Sequence, residues 1–192
     1  MKKSYRRNLY LALIHHPVVN KQGDIIASAV TNLDLHDIAR ASRTFGVNTF
    51  YVVTPLNDQK ILAQRIISHW TSGGGAAYNP SRKQAFDQIE IVDSLKDVVD
   101  DIEKGGCVRP KTVATCAKEQ DRSIGYKQFC DMLRADDESA YVLVFGTAWG
   151  LAESLMSETD YILEPIRSDT GYNHLSVRSA VSIILDRLVG DR

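Results

Sequence analysis

The chain has 192 residues, of which 44% are apolar, so a single domain with a sizeable buried core is expected. Its formal net charge of −1 argues against a protein that coats nucleic acid through bulk electrostatics, although local basic patches are compatible with it. Three widely separated cysteines without CxxC spacing predict neither a disulfide framework nor a zinc site, and no segment is apolar enough to cross a bilayer, so we expect a cytoplasmic protein without metal or membrane partner.

Strands and helices alternate along the chain, which predicts an α/β fold with a mostly parallel sheet and helices on both faces. After a basic tail at residues 2–7, the first strand is predicted at residues 9–14 and the first helix from about Asp34. Residues three and four positions apart share a face of a helix. One face of this helix carries Leu35, Ile38, Ser42 and Phe45, and another carries His36, Arg40 and Arg43. A strand at residues 49–53 and a helix at 59–70 follow.

A triple glycine at residues 73–75 breaks the pattern after this helix. It lacks the lysine and hydroxyl that a P-loop requires, so we interpret it as a mobile connector. Asn79-Pro80-Ser81 is typical of a helix start. The next elements are predicted as a strand at 89–92, a helix at 95–103, a strand at 111–115 and a helix at 126–133.

The last third of the chain contains the pattern most suggestive of function. A buried strand at residues 141–145 leads into a glycine loop, residues 146–151, and a strand at 161–166 follows, which Pro165 should end or confine to an edge. Asn173-His174-Leu175-Ser176 has side chains suited to capping a helix start. The final helix has one apolar face and should end near Gly190; the face consists of Val177, Ala180, Val181, Ile184, Leu185 and Leu188.

Ligands of open α/β sheets bind beyond the carboxyl ends of the strands, where the strand order reverses. Three such ends are expected to converge here: residues 115–117, 146–151 and 163–166. A conventional dinucleotide fold is disfavoured, because no GxGxxG follows the first strand and the glycine loop comes late in the chain.

Three motifs, in this order, resemble those of the SPOUT class of RNA methyltransferases, whose C-terminal chain forms a trefoil knot that binds S-adenosylmethionine. They are Asn32 with Arg40-Ala41-Ser42-Arg43-Thr44-Phe45-Gly46, then Leu143-Val144-Phe145-Gly146 with Gly150-Leu151, then Pro165-Ile166 with His174-Leu175-Ser176-Val177. Together they span nearly the whole chain. Three further segments resemble a small, poorly characterised bacterial group of this class: Thr31-Asn32-Leu33-Asp34, Tyr78-Asn79-Pro80-Ser81-Arg82 and Leu163-Glu164-Pro165-Ile166.

The resemblance implies one knotted domain over residues 1–192, a homodimer, S-adenosylmethionine as cofactor, and tRNA or rRNA as substrate. It also implies Arg40 as a catalytic residue that positions an RNA phosphate or the methyl acceptor, with Asp169 and His174 as proton acceptors. The implied cofactor-binding residues are Thr115, Cys116, Phe145, Gly146, Thr147, Trp149, Gly150, Leu151, Leu163, Pro165, Ile166, His174, Leu175 and Ser176.

Departures from the SpoU branch leave alternatives open. Ala148 stands where that branch usually has a glutamate, Glu164 where it has an apolar residue, and His174 where it has an asparagine. A noncatalytic knot module that binds S-adenosylmethionine or RNA is therefore the second hypothesis, and an unknotted nucleotide-binding protein the third. Arg40 could simply pair with Asp37, and Trp149 could fill a packing gap or a dimer contact instead of stacking on a base.

Overall fold

The computed structural model describes residues 8–135 and 139–191, and a seven-stranded parallel sheet forms its centre. The basic tail lies outside the described residues. In chain order the strands of this sheet are β1 (Leu9–Ile14), β4 (Phe50–Val53), β5 (Ile89–Val92), β6 (Lys111–Thr115), β7 (Ser123–Ile124), β8 (Tyr141–Gly146) and β9 (Tyr161–Leu163). A separate antiparallel hairpin consists of β2 (Val18–Val19) and β3 (Ile25–Ile26).

Helices cover both faces of the sheet, as predicted, because successive residues of the buried strands point to opposite sides. Leu9, Leu11 and Leu13 of β1 belong to one apolar cluster, whereas its other three residues belong to the second. The first cluster packs against α1 (Asn32–Phe45), α2 (Asn57–Thr71), α4 (Pro80–Phe86), α6 (Tyr126–Ala135) and α8 (Val177–Val189). The second packs against α5 (Leu95–Lys104) and α7 (Glu153–Glu158).

Two predicted helix starts are confirmed by their capping bonds. The side chain of Asn79 accepts a hydrogen bond from the backbone N–H of Arg82, and that of Ser176 accepts one from Ser179. These bonds satisfy N–H groups that have no partner inside the helix. The interpretation of the triple glycine as a connector is wrong, because residues from Gly74 form a short helix, α3 (Gly74–Tyr78).

The strand order is β5-β4-β1-β8-β6-β9-β7. The next strand of this sheet along the chain, β4, therefore lies on one side of β1, whereas β8, which comes much later in the chain, lies on the other side. The order therefore reverses at the boundary between β1 and β8, which is where open α/β sheets bind ligands. Because the strands are parallel, the carboxyl ends of β1, β8, β6 and β9 lie along one edge. None of the helices within residues 8–135 and 139–191 is long and apolar enough to span a lipid bilayer.

Candidate functional site at the carboxyl edge of the sheet

The glycine loop turns back on itself immediately after β8. The backbone N–H of Gly150 donates to the carbonyl of Thr147 at 3.0 Å, and both Ala148 (φ 52°) and Gly150 (φ 118°) have positive φ. A Cβ on Gly146 would lie 2.6 Å from the backbone nitrogen of Leu151. Position 146 therefore needs a glycine because the loop folds back against it. The sequence suggests a different reason, namely the close approach of a ligand to the backbone.

The β2–β3 hairpin holds this loop from outside the main sheet. Trp149 N–H donates to the carbonyl of Val19 at 3.0 Å, and Val19 N–H donates back to the carbonyl of Gly150 at 2.9 Å. Ala152 N–H adds a bond to the carbonyl of Pro17 at 3.2 Å. Residues from the beginning of the chain therefore fix the conformation of a loop near its end, and the indole of Trp149 is left 65% exposed.

A chain of side-chain hydrogen bonds links the glycine loop to the end of β1. The hydroxyl of Thr147 donates to the carbonyl of Ile14 at 2.9 Å, and the hydroxyl of Ser28 lies within hydrogen-bond distance of Thr147 Oγ1. Nδ1 of His15 is 3.0 Å from Ser28 Oγ. His15 is fully buried, and burial lowers the pKa of its imidazole to about 4, so the ring is neutral near pH 7. No motif or spacing around Ser28 indicates its part in this chain of hydrogen bonds.

The loops after β6 and β9 also meet at this edge. The hydroxyl of Thr115 donates to the carbonyl of Val144 at 3.1 Å, which joins β6 to β8. The amide of Asn173 donates to the carbonyl of Ala117 at 2.7 Å, tying the segment before α8 to the end of β6. These bonds join the end of β6 to β8 and to the segment before α8, and Thr115 also pairs with Leu163 in the sheet; none of these contacts involves the glycine loop itself.

Side chains predicted to bind the cofactor have different degrees of access. Phe145, Leu151 and Leu163 are buried in the two apolar clusters, so at these positions only the backbone could contact a ligand. Trp149 and Leu175 are exposed. Arg167 and Glu119 carry opposite charges and form an ion pair, with 2.5 Å between a guanidinium nitrogen and a carboxylate oxygen. Two apolar side chains of this set, Trp149 and Leu175, are thus accessible to a ligand at this edge.

The predicted catalytic side chains are exposed and are not bonded to one another. Asp169 and His174 are exposed in the segment before α8, and Arg40 is exposed on α1. Within residues 8–135 and 139–191, no hydrogen bond or ion pair connects any two of them. The alternative that Arg40 pairs with Asp37 is wrong, because Asp37 lies 3.5 Å from Arg178 instead.

Glu164, a departure from the SpoU pattern, has a structural role. Its Oε1 accepts a hydrogen bond from the backbone N–H of Tyr126 at 2.9 Å, at the first residue of α6. A carboxylate there satisfies an unpaired helix N–H and interacts favourably with the helix dipole. Its presence before Pro165 therefore does not indicate a catalytic acid.

Residues 8–190 match the sequence profile of the SAM-dependent RNA methyltransferase family, so the chain belongs to that family. It is 45% identical over 185 residues to a tRNA (guanine-N(1)-)-methyltransferase of Oleidesulfovibrio alaskensis, an alignment covering 96% of this chain and 43% of that protein. The chain thus spans less than half the length of that relative. An uncharacterized protein of Aquifex aeolicus is 41% identical, over 94% of this chain and 88% of its own.

Solved structures show the same fold at low sequence identity. TrmJ of Z. mobilis superposes with a TM-score of 0.63 at 15% identity, covering 95% of this chain and 69% of its own. The SpoU methyltransferase AviRb of Streptomyces viridochromogenes, in complex with AdoMet, superposes with a TM-score of 0.54 at 17% identity, covering 96% and 58%. The predicted membership of the SPOUT class is confirmed, as is the α/β fold. No cluster of metal-ligating side chains occurs in the described part of the chain.

Proposed function

We propose that this chain transfers a methyl group from S-adenosylmethionine to RNA, with the cofactor held at the carboxyl edge of β8, β6 and β9. The observation that carries this proposal is that the ends of β8, β6 and β9 lie side by side in the sheet, and that the Asn173–Ala117 hydrogen bond ties the segment before α8 to the end of β6. The substrate is tRNA or rRNA. The guanine-N(1) activity named for the longer relative is not assigned to this chain, which aligns with only part of it.

Each group of residues has a defined part in this proposal. S-adenosylmethionine supplies an electrophilic methyl group on a sulfonium centre when bound. The backbone of the glycine loop binds the adenosine portion, and Trp149 and Leu175 shield it from water. Arg40 binds an RNA phosphate, while Asp169 or His174 accepts the proton that the acceptor loses. Much of the rate then comes from holding donor and acceptor in alignment.

We also propose that the chain folds as a single domain with a C-terminal knot and that it forms a homodimer. The strand order supports the knot, since the chain returns between β1 and β6 to form β8 and then crosses β6 again to reach β9. The exposed side chains of Arg40, Asp169 and His174 do not bond to one another, which leaves them accessible to a second copy. Light scattering coupled to gel filtration tests the dimer.

A noncatalytic module is the second candidate. It is favoured by Ala148, which cannot accept a proton, and by the absence of any bond between Asp169 and His174 in the described residues. Such a protein would bind S-adenosylmethionine or RNA without turnover.

Titration calorimetry with S-adenosylmethionine and S-adenosylhomocysteine, with ATP and NAD as controls, tests the proposal first. We expect binding of the methyl donor pair alone, and transfer of tritiated methyl groups to unfractionated tRNA or rRNA. Binding without transfer to either RNA would favour the noncatalytic module. Preference for ATP or NAD would contradict the proposed site.

A further inference from the structure

An aromatic cluster with basic side chains lies on the helical layer formed by α1, α2 and α4, and nothing in the proposed chemistry uses it. The indole of Trp70 is its centre. The rings of His36 and His69 approach Trp70 edge-on at 5.2 and 4.9 Å between centroids, and Phe86 lies at 6.2 Å. We refer to His36, His69, Trp70, Arg82 and Phe86 as the Trp70 cluster.

Arg82 lies over the indole of Trp70, with its guanidinium carbon 4.4 Å from the ring centroid. A cation–π contact of this kind fixes the plane of the guanidinium without neutralising its charge. Arg82 makes no ion pair with any carboxylate in the described residues, and its buried Nε has no hydrogen-bond partner. Asp87, which follows the last residue of α4, pairs with Lys83 at 2.8 Å. A ligand cannot reach the buried Nε, but the terminal guanidinium nitrogens make no ion pair with the described residues and keep their donors for an anionic ligand.

Positive charge extends from Arg82 towards α1. The pKa of His36 is lowered by burial and then by the charges of Arg82 and Arg40, although Asp37 acts in the opposite direction. Asp37 is itself paired with Arg178. The surface around the Trp70 cluster thus carries two positively charged side chains, Arg82 and Arg40. Neither forms an ion pair with a carboxylate in the part of the chain that the structure describes.

Tyr78 is the last residue of α3 and precedes Arg82 by four positions in the chain, and the triple glycine accounts for the placement of α3. A Cβ on Gly75 would lie 2.6 Å from Trp70 Cε3, so only a glycine lets α3 pack directly against the indole. The chain then passes through Asn79, whose side chain accepts from Arg82 N–H at 3.0 Å, and so fixes the start of α4 close to Tyr78. Tyr78 is 87% exposed.

We propose that Tyr78 and the Arg82–Trp70 pair form a binding surface for unpaired nucleotides of the RNA substrate. Tyr78 stacks on a base, and Arg82 binds a backbone phosphate. Proteins that hold single-stranded RNA combine these two features, an exposed aromatic face and fixed positive charge. The inference rests on the proposed function, which supplies RNA as the partner.

Fluorescence anisotropy with a labelled oligouridine and with unfractionated bacterial tRNA tests the surface. We expect Tyr78→Ala to weaken binding about tenfold, because the stacking contact is lost, and Tyr78→Phe to bind like the wild type. Arg82→Gln should weaken binding and lower the slope of log affinity against log salt by about one unit. Arg82→Lys should recover the salt slope but only part of the affinity, since it lacks the planar fork.

Arg109→Gln is the matched control, because it removes one exposed positive charge between α5 and β6, away from the Trp70 cluster. It should leave the affinity for both RNAs unchanged. Thermal unfolding separates binding from folding: Tyr78 is too exposed for its truncation to destabilise the protein, even if Arg82→Gln does so.

The surface is refuted if wild-type protein binds RNA and Tyr78→Ala binds equally well, or if Arg109→Gln weakens binding as much as Arg82→Gln. Calorimetric titration with S-adenosylmethionine distinguishes refutation of this RNA-binding surface from failure of the proposed function. Variants that retain cofactor binding but lose RNA affinity support the surface, whereas absence of cofactor binding in the wild type contradicts the proposed function without changing the RNA result.

Discussion

Nδ1 of His15 lies 3.0 Å from Oγ of Ser28, and this contact joins the end of the central strand to the segment that leads into α1. The backbone N–H of Ser28 also donates to the carbonyl of His15 at 2.8 Å. Two bonds between the same residues, one through side chains and one through the backbone, hold the segment next to the glycine loop. The neutral imidazole is therefore part of the structure that supports the candidate site.

The burial of His15 predicts a loss of stability in mild acid. Its pKa is about 4 in the folded protein but about 6.5 in an unfolded chain, so the unfolded state binds the proton first as the pH falls. The full stability contributed by the neutral ring is present above about pH 6.5 and is lost progressively down to about pH 4. The free energy of unfolding should fall by up to about 3 kcal/mol over this window.

Urea denaturation at a series of pH values measures this effect. His15→Gln should lower the stability at pH 7 and flatten its decrease between pH 6.5 and 4. The exposed His174 supplies the control, since His174→Gln should leave the decrease unchanged. An equal pH dependence in His15→Gln and wild type would show that His15 is not the group responsible.

Gly146→Ala should disrupt the glycine loop. The new Cβ would meet the backbone of Leu151 at 2.6 Å and of Gly150 at 2.9 Å, and neither can move without breaking the turn. We expect a loss of about 1–3 kcal/mol in the free energy of unfolding and a large fall in S-adenosylmethionine affinity. Gly74→Ala is the matched control, because a Cβ there meets nothing within 4 Å and stability should change by less than about 1 kcal/mol. Unchanged cofactor affinity in Gly146→Ala would place the pocket elsewhere.

Glu164→Ala should destabilise the protein without affecting the cofactor site. The substitution leaves the backbone N–H of Tyr126 without its carboxylate partner at the start of α6, which costs about 1 kcal/mol. Glu164→Gln keeps an acceptor oxygen and should lose less. Chemical denaturation gives the energies, and methyl transfer at a temperature well below unfolding should equal that of the wild type. A selective loss of turnover in Glu164→Gln would instead indicate a catalytic carboxylate.

The substitution Arg40→Ala should lower the rate of methyl transfer to RNA without changing the affinity for the cofactor. Arg40 is exposed and has no ion pair in the described residues, so its removal leaves folding intact. We expect methyl transfer to fall about a hundredfold through loss of substrate alignment, with unchanged S-adenosylmethionine affinity. Arg43→Ala, three residues further along the same helix, should retain a rate near that of the wild type. Equal turnover in both variants would remove Arg40 from the proposed mechanism.

The sequence predicts the main sheet because its central strands, β1, β4 and β8, are continuous apolar segments buried on both faces. The bounds of β1, β5 and β6 agree with the predicted residues. The hairpin strands β2 and β3 and the edge strand β7 contain two residues each, too few for an alternating pattern to be recognised. The six residues of α7 span less than two helical turns, so they show no clear period either.

The candidate site is only partly predictable, since the sequence indicates which strands end there but not what holds their loops. The hydrogen bonds between Trp149 and Val19 and between Ser28 and Thr147 join residues far apart in the chain, where no spacing rule applies. Glu164 illustrates a second limit. Its partner is a backbone N–H, and every residue except proline has one.

Pairing of β1 with β8 has a consequence for the synthesis of the protein. Leu9 pairs with Tyr141 and Ile14 with Gly146, so one edge of an entirely apolar strand stays open until most of the chain has left the ribosome. Contacts between residues so distant in sequence make folding slow, and an unpaired apolar edge attracts other chains. We therefore expect the nascent protein to depend on chaperones or on rapid completion of translation, and fragments that end before β8 to aggregate.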